Sequence, residues 1–108
     1  MSEELLKIET IRNYVSQRRI IWTKHCLNRI NQRDILILDV KTAIKDGTIV
    51  EYYYEDYPYP SCLIVGKNTR GNTIHIVCGI NRNFIYMITA YYPDTNEWEE
   101  DMKTRRKE

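Results

Sequence analysis

The sequence predicts an α+β domain in which N-terminal helices pack on one face of a four-stranded antiparallel sheet. Three observations predict it. Apolar residues recur at three- and four-residue steps up to Gly47, the period then changes to alternation, and the alternating stretches are separated by "TRG" and "NRN", short turn signals of the hairpin kind. At 108 residues the chain reads as a single domain, 1–108, able to bury one modest core. Residues 1–21 form an N-terminal helix and lead-in, and residues 22–107 the body.

Leu5, Ile8, Ile11, Tyr14 and Val15 place an amphipathic helix over residues 3–19, with Ser2 as its N-cap and Glu3 and Glu4 in the first turn, where the helix dipole favours anions. "IIW" at residues 20–22 is too short to classify. Thr23 offers an N-cap for a second helix running to about Arg33. At about 100° per residue, Leu27 and Ile30 point to one side of it with Cys26 on their flank, while His25, Asn28, Arg29 and Gln32 point to the other, with Arg33 at the margin. A third helix over residues 38–46 ends at Gly47, a natural residue for a left-handed cap, although no good capping residue lies just upstream of Leu38.

The strands follow as "TIVEYYY", "SCLIVGKN", "NTIHIVCGI" and "FIYMITAYY", with "EDYPYP" as an interruption because two prolines do not fit a central ladder. In the third of these, Ile74, Ile76, Cys78 and Ile80 alternate with Thr73, His75, Val77 and Gly79. The first set belongs to the core, so His75 points to the opposite, partly polar face. In the fourth, alternation sends Met87, Thr89 and Tyr91 to one side and Tyr86, Ile88, Ala90 and Tyr92 to the other.

Composition excludes several classes of function. Apolar residues make up 43% and charged residues 29% of the chain, and no segment approaches the roughly 20 apolar residues of a membrane span. The N-terminus lacks the basic-then-apolar order of a secretory signal, and an odd number of widely spaced cysteines makes a reducing cytoplasm the expected location. Cys26, Cys62 and Cys78 are far apart and fit neither a zinc spacing nor a complete disulfide set; they read as small buried hydrophobes. The four glycines are scattered, no serine sits in a nucleophile-elbow context, and the acids lie away from both histidines in sequence. No metal site and no cofactor is therefore expected.

Charge distribution is more informative than the net +1. Residues 12–33 carry six basic side chains and no acid, and "KTRRK" adds four more near the C-terminus. A segregated basic region in a nearly neutral chain is what an anion-binding face looks like, although solvated basic helices look the same. His25, Arg29 and Arg33 follow one another at four-residue steps, and guanidinium forks suit phosphate oxygens. The two histidines, His25 and His75, each sit on the polar side of their own element. Arg82 in the "NRN" turn and Arg105 in the tail are further cations. Nine tyrosines supply rings able to stack on bases as well as ordinary strand residues. What remains is metal-free phosphodiester chemistry: in RNA the 2′-OH attacks the adjacent phosphorus, a base takes its proton, an acid protonates the leaving oxygen, and cations stabilise the phosphorane.

"HCLNRINQRDI…VKTAIKDGTIVEYY", "PYPSCLIVG", "IHIVCGI" and "MITAYYPDTNEWEEDMKTRRK" resemble, in that order and spacing, the bacterial domain-of-unknown-function family 4258, over roughly residues 22–107. That family resembles the RelE, ParE and MqsR toxins in fold, helices on a small curved antiparallel sheet. Its members look like the toxin half of a pair encoded beside a zinc-finger protein similar to the MqsA antitoxin. The resemblance implies a cytoplasmic, metal-independent endoribonuclease acting on mRNA, with RNA and a cognate antitoxin as partners. Its motif falls on His25, Arg29, Arg33, His75, Thr89, Tyr91 and Arg105. The chain departs from the pattern at "RDILILDV", where relatives show a glycine and then a small polar N-cap.

The expectation is therefore a catalytic group of His25, His75, Arg29 and Tyr91, with Arg33, Arg82, Thr89 and Arg105 holding substrate. His25 and His75 are the acid/base pair, and they are expected to converge in one solvent-open hollow. The alternative is a non-catalytic module, ParE-like or nucleic-acid-binding, that uses the same basic patch. The placement of the tail from Trp98 onward is left open by its sequence.

Overall fold

The structure, a computed structural model, describes residues 5–107. Among them are helices α1 (Ile8–Ser16), α2 (Lys24–Gln32) and α3 (Ile37–Asp46), and strands β1 (Ile20–Trp22), β2 (Thr48–Tyr53), β3 (Ser61–Lys67), β4 (Thr73–Ile80) and β5 (Ile85–Tyr91). The expected N-cap at Ser2, with Glu3 and Glu4, lies outside the described residues. No helix among the described residues is long and apolar enough to cross a membrane.

The class is α+β as expected, but the sheet corrects the expectation. It has five strands in the order β1-β5-β4-β3-β2, with β1 parallel to β5 and the other pairs antiparallel. The fifth strand is the unclassified "IIW", which pairs Ile20 with Ile85 and Trp22 with Met87. Three residues are too few to display a period, and a parallel partner far along the chain leaves no turn signal beside them.

Helices cover one face. Ile11, Cys26, Ile30, Val40, Ala43 and Ile44 meet Ile64, Ile74, Ile76, Cys78, Ile85 and Met87 in one apolar core. All three cysteines are free and buried. In α2 the inward residues are Cys26 and Ile30, while Leu27 is 38% exposed, so the helix is rotated from the expected facing. Its N-cap is as expected: the Thr23 hydroxyl accepts from the Cys26 N–H at 3.0 Å.

The start of α3 resolves the missing cap. Asp39, three residues in, reaches back to accept the Leu36 N–H at 2.8 Å, and its other oxygen takes the Thr69 N–H and hydroxyl. Burial pushes this carboxyl up, but those hydrogen bonds outweigh it and hold Asp39 below the usual carboxylate range. Gly47 is not left-handed; at φ −82° and ψ 176° it is extended. Its role is space: a Cβ there would lie 2.5 Å from the Ala43 carbonyl oxygen, and at Gly66 on β3 the same approach would be 2.1 Å. These two glycines let α3 ride directly on the sheet.

Two β-bulges decide which side chains reach the outer face. In β5 the register passes from Cys78↔Met87 to Val77↔Thr89, leaving Ile88 as the extra residue. Met87 therefore faces the core, and Thr89 and Tyr91 face out with His75. The expected grouping of Met87 with Thr89 and Tyr91 is corrected by that one inserted residue. In β2 the register passes from Ile49↔Ile64 to Glu51↔Leu63, which turns Glu51 outward in the same way. Residues 93–107 then fold back over the outer face as a strap, closed on itself by the Trp98–Arg105 bridge and by backbone hydrogen bonds from Glu99 to Thr104 and from Arg106 to Glu97.

Candidate functional site

The register sorts the outer face into three rows: Thr48, Val65, His75 and Tyr91; Glu51, Leu63, Val77 and Thr89; Tyr53, Ser61, Gly79 and Tyr86. Tyr59 stacks on Tyr86 at 4.7 Å over the third row. The strap reaches His75 in the first row and Glu51 in the second through Trp98, Met102 and Arg105.

His75 is 0% exposed. Its ring stands edge-on to Trp98 at 4.6 Å and to Tyr91 at 5.4 Å. Nε2 lies 2.7 Å from the Met102 carbonyl oxygen, which only accepts, so the ring carries its proton there. Nδ1 is buried with no hydrogen-bond partner. Burial, the largest effect, holds the His75 pKa below the ordinary histidine range; Arg105 adds to that, and Met102 and Glu51 oppose it.

Beside it, Arg105 grips Glu51 through two bonds, Nε to Oε2 at 2.7 Å and a terminal nitrogen to Oε1 at 3.1 Å. The same guanidinium lies 4.5 Å above the Trp98 ring. The Tyr53 hydroxyl donates to Glu51 as well. The Arg105 contact holds the Glu51 carboxyl below its usual range, and burial with the Glu51 contact pushes Tyr53 up to about 12. Burial also raises the Tyr91 hydroxyl.

Arg33 closes the other side. Beyond Met87, β5 has lost its β1 neighbour, and the Arg33 guanidinium replaces the missing strand by donating to the Ala90 carbonyl at 2.8 Å and the Thr89 hydroxyl at 3.2 Å. At the opposite end of α2 the Thr23 hydroxyl donates to the Met87 carbonyl at 2.9 Å. The helix is pinned to β5 at both ends. Between β5 and the strap lies an open hollow of about 450 Å³ lined by Arg33, Tyr91, Tyr92, Asp94, Glu97, Trp98 and Arg105.

The residues singled out from sequence separate into three groups. Arg33, Tyr91 and Arg105 line the hollow and Thr89 holds Arg33, while His75 lies sealed under Trp98. His25 and Arg29 are exposed on α2 and do not line the hollow. Because α2 packs Cys26 and Ile30 into the core on the helix side of the sheet and His75 faces the other side, the expected convergence of the two imidazoles is corrected. Arg82 is in the β4–β5 turn, roughly 20 Å along β5 from Tyr91 at about 3.3 Å per residue, and its carbonyl accepts from Tyr14 and Arg19.

The basic run is partly structural too. Arg12 donates to the Ile44 and Gly47 carbonyls at the end of α3, and Arg19 serves the Asn83 and Arg82 carbonyls. Sequence reasoning missed Glu51, Tyr53, Tyr92, Asp94 and Glu97. A signal existed for Glu51 alone: it is the one charge inside "TIVEYYY".

No curated protein and no solved structure matches the chain. A family model does, over residues 22–92, stopping short of the strap that carries Trp98 and Arg105 and excluding α1. That match spans well over half of the chain, from the β1–α2 junction to the end of β5, and so the protein belongs to the family described as a domain of unknown function (DUF4258).

Proposed function

We propose that the chain is the toxin of a toxin–antitoxin pair, a metal-independent endoribonuclease acting on mRNA, with the hollow as the place where the RNA backbone is held. The observation that carries this reading is the pinning of Arg33 to Thr89 and Ala90, which fixes a guanidinium in the same hollow as Arg105. Two such forks suit one phosphate or two successive ones, and Tyr91, Tyr92 and Trp98 offer faces for unpaired bases. Arg29, exposed on the same pinned helix one turn before Arg33, adds a further guanidinium, and His25 is exposed on its first turn, outside the hollow. Asp94 and Glu97 line the hollow as well and repel phosphate from their side of it. In this reading a cognate antitoxin, similar to the zinc-finger MqsA type, covers the hollow and the strap.

The second reading, a non-catalytic nucleic-acid-binding module, draws on one observation: no imidazole lines the hollow. One experiment separates the two. Purified protein is mixed with single-stranded RNA in EDTA, and the products are analysed for 2′,3′-cyclic phosphate ends. Cleavage that Arg33→Ala suppresses supports the first reading. Tight binding without cleavage supports the second, and an absence of binding at low salt removes both.

A further inference from the structure

We infer that residues 93–107 are a displaceable strap over a latent acid/base pair, Glu51 and His75, and that a phosphate entering the hollow draws Arg105 off Glu51 and so opens it. The catalytic role of the pair rests on the ribonuclease reading above; the strap does not.

What lies beneath the strap is the first observation. Bulges in β2 and β5 turn Glu51, Thr89 and Tyr91 onto the outer face with His75. A cover with only a packing role would meet an apolar surface, since buried polar groups stabilise a fold only when fully served. Here a carboxylate, an imidazole and the Tyr53 hydroxyl are gathered instead, and Nδ1 of the 0% exposed His75 has no partner. Opening would let water or a substrate oxygen serve that atom.

How the strap is held is the second. Its charged attachment to the sheet is solvent-facing: the Arg105 side chain that pairs with Glu51 is 55% exposed, whereas the Arg106–Glu99 pair lies within the strap itself. Such exposed pairs exchange readily for water or another anion. Met102, whose carbonyl takes the His75 proton, sits at φ 61°, a left-handed conformation that a non-glycine residue adopts at a cost. Trp98, 3% exposed, is the main apolar anchor.

Arg105 couples the two states. Its fork pairs with Glu51 and also lines the hollow, so a phosphate bound there competes with the carboxylate for one guanidinium. Once Arg105 transfers, Glu51 is a free carboxylate and His75 meets solvent, which removes the burial that holds its pKa down. Glu51 then takes the 2′-OH proton as O2′ forms a bond to phosphorus. The bond from phosphorus to O5′ breaks, and the His75 imidazolium gives its proton to that oxygen. The products are a 2′,3′-cyclic phosphate and a 5′-OH, and water returns the proton from Glu51 to His75.

The test uses the chain's two histidines as probe and reference. Diethylpyrocarbonate acylates accessible neutral imidazole, and peptide mass spectrometry reads each site. In the full-length protein His25 should label and His75 should be protected. Arg105→Gln, and in the wild type a non-cleavable 2′-deoxy oligonucleotide, should raise His75 labelling about tenfold with His25 unchanged. Wild-type His75 labelling as fast as His25 overturns the strap, and so does His75 remaining protected in both Arg105→Gln and Trp98→Ala proteins that keep their circular dichroism. Cleavage in EDTA that survives both Glu51→Gln and His75→Gln overturns the pair. Labelling that rises as stated in a protein that cuts no RNA removes the ribonuclease reading and the pair's catalytic role, and leaves the strap standing.

Discussion

His75 on β4 donates its Nε2 proton to the Met102 carbonyl across 2.7 Å, which ties the centre of the sheet to the far end of the chain. The bond fixes the tautomer of the ring and leaves Nδ1 as a buried acceptor without a donor. A histidine that reads from sequence as an open-face catalytic group is, in the closed fold, the peg on which the C-terminal strap hangs.

That peg should make stability sensitive to mild acid. The unfolded chain binds a proton at His75 near the ordinary value of 6.5, whereas burial lowers the folded value. The stabilisation is thus present above about pH 6.5 and is lost as pH falls toward the folded pKa, at a slope of at most about 1.4 kcal/mol per pH unit. Glu51, held low by Arg105, contributes in the same direction only below its ordinary 4.5. Thermal unfolding from pH 7.5 to 5 should therefore show a falling midpoint in the wild type and a flatter curve for His75→Gln; parallel curves would contradict the assignment.

Arg33 predicts a paired loss. Removing a part-buried charged donor from the Ala90 carbonyl and Thr89 hydroxyl should destabilise Arg33→Ala by about 1–3 kcal/mol, and Thr89→Ala, which loses only the weaker contact, by about 0.5–1.5 kcal/mol. If the hollow binds RNA, Arg33→Ala should also lower the slope of log affinity against log salt by about one, and Thr89→Ala should not. Urea titration and filter binding read the two effects separately.

Close approach of α3 to the sheet makes two glycines unequal. A Cβ on Gly66 would sit 2.1 Å from the Ala43 carbonyl oxygen, while one on Gly79 finds nothing nearer than the Pro60 carbonyl oxygen at 3.5 Å. Gly66→Ala must push the helix off β3 and should cost about 3 kcal/mol or more, whereas Gly79→Ala should stay within about 1 kcal/mol. Equal unfolding midpoints for the two variants would refute that packing.

The elements with a period of their own were legible in the sequence. Alternation in "TIHIVCGI" places Ile74, Ile76, Cys78 and Ile80 in the core and His75 opposite, as found. What escaped is what needs a distant partner or a change of period. β1 shows itself only against β5, and the bulges at Val50 and Ile88 invert a strict alternation that is correct on either side of them. The site was half legible for the same reason. Arg33, Thr89, Tyr91 and Arg105 do come together, but Glu51 enters through a bulge and His75 is closed off by a tail whose sequence carries no periodic signal.

His25→Ala separates the two accounts of the proton transfers. His25 is exposed on the first turn of α2, so its removal should change stability by less than about 0.5 kcal/mol. An acid/base pair of two imidazoles requires that cleavage then fall by at least about 100-fold, the usual weight of a general acid or base. A pair made of Glu51 and His75 requires instead that His25→Ala cut RNA within about threefold of the wild type, because the lost group lies outside the hollow, while Glu51→Gln takes the full loss. Cleavage rates in EDTA, measured beside thermal midpoints for the same preparations, decide between them: a His25→Ala protein that is folded and inactive returns the chemistry to α2, and one that is folded and active leaves it on the outer face of the sheet.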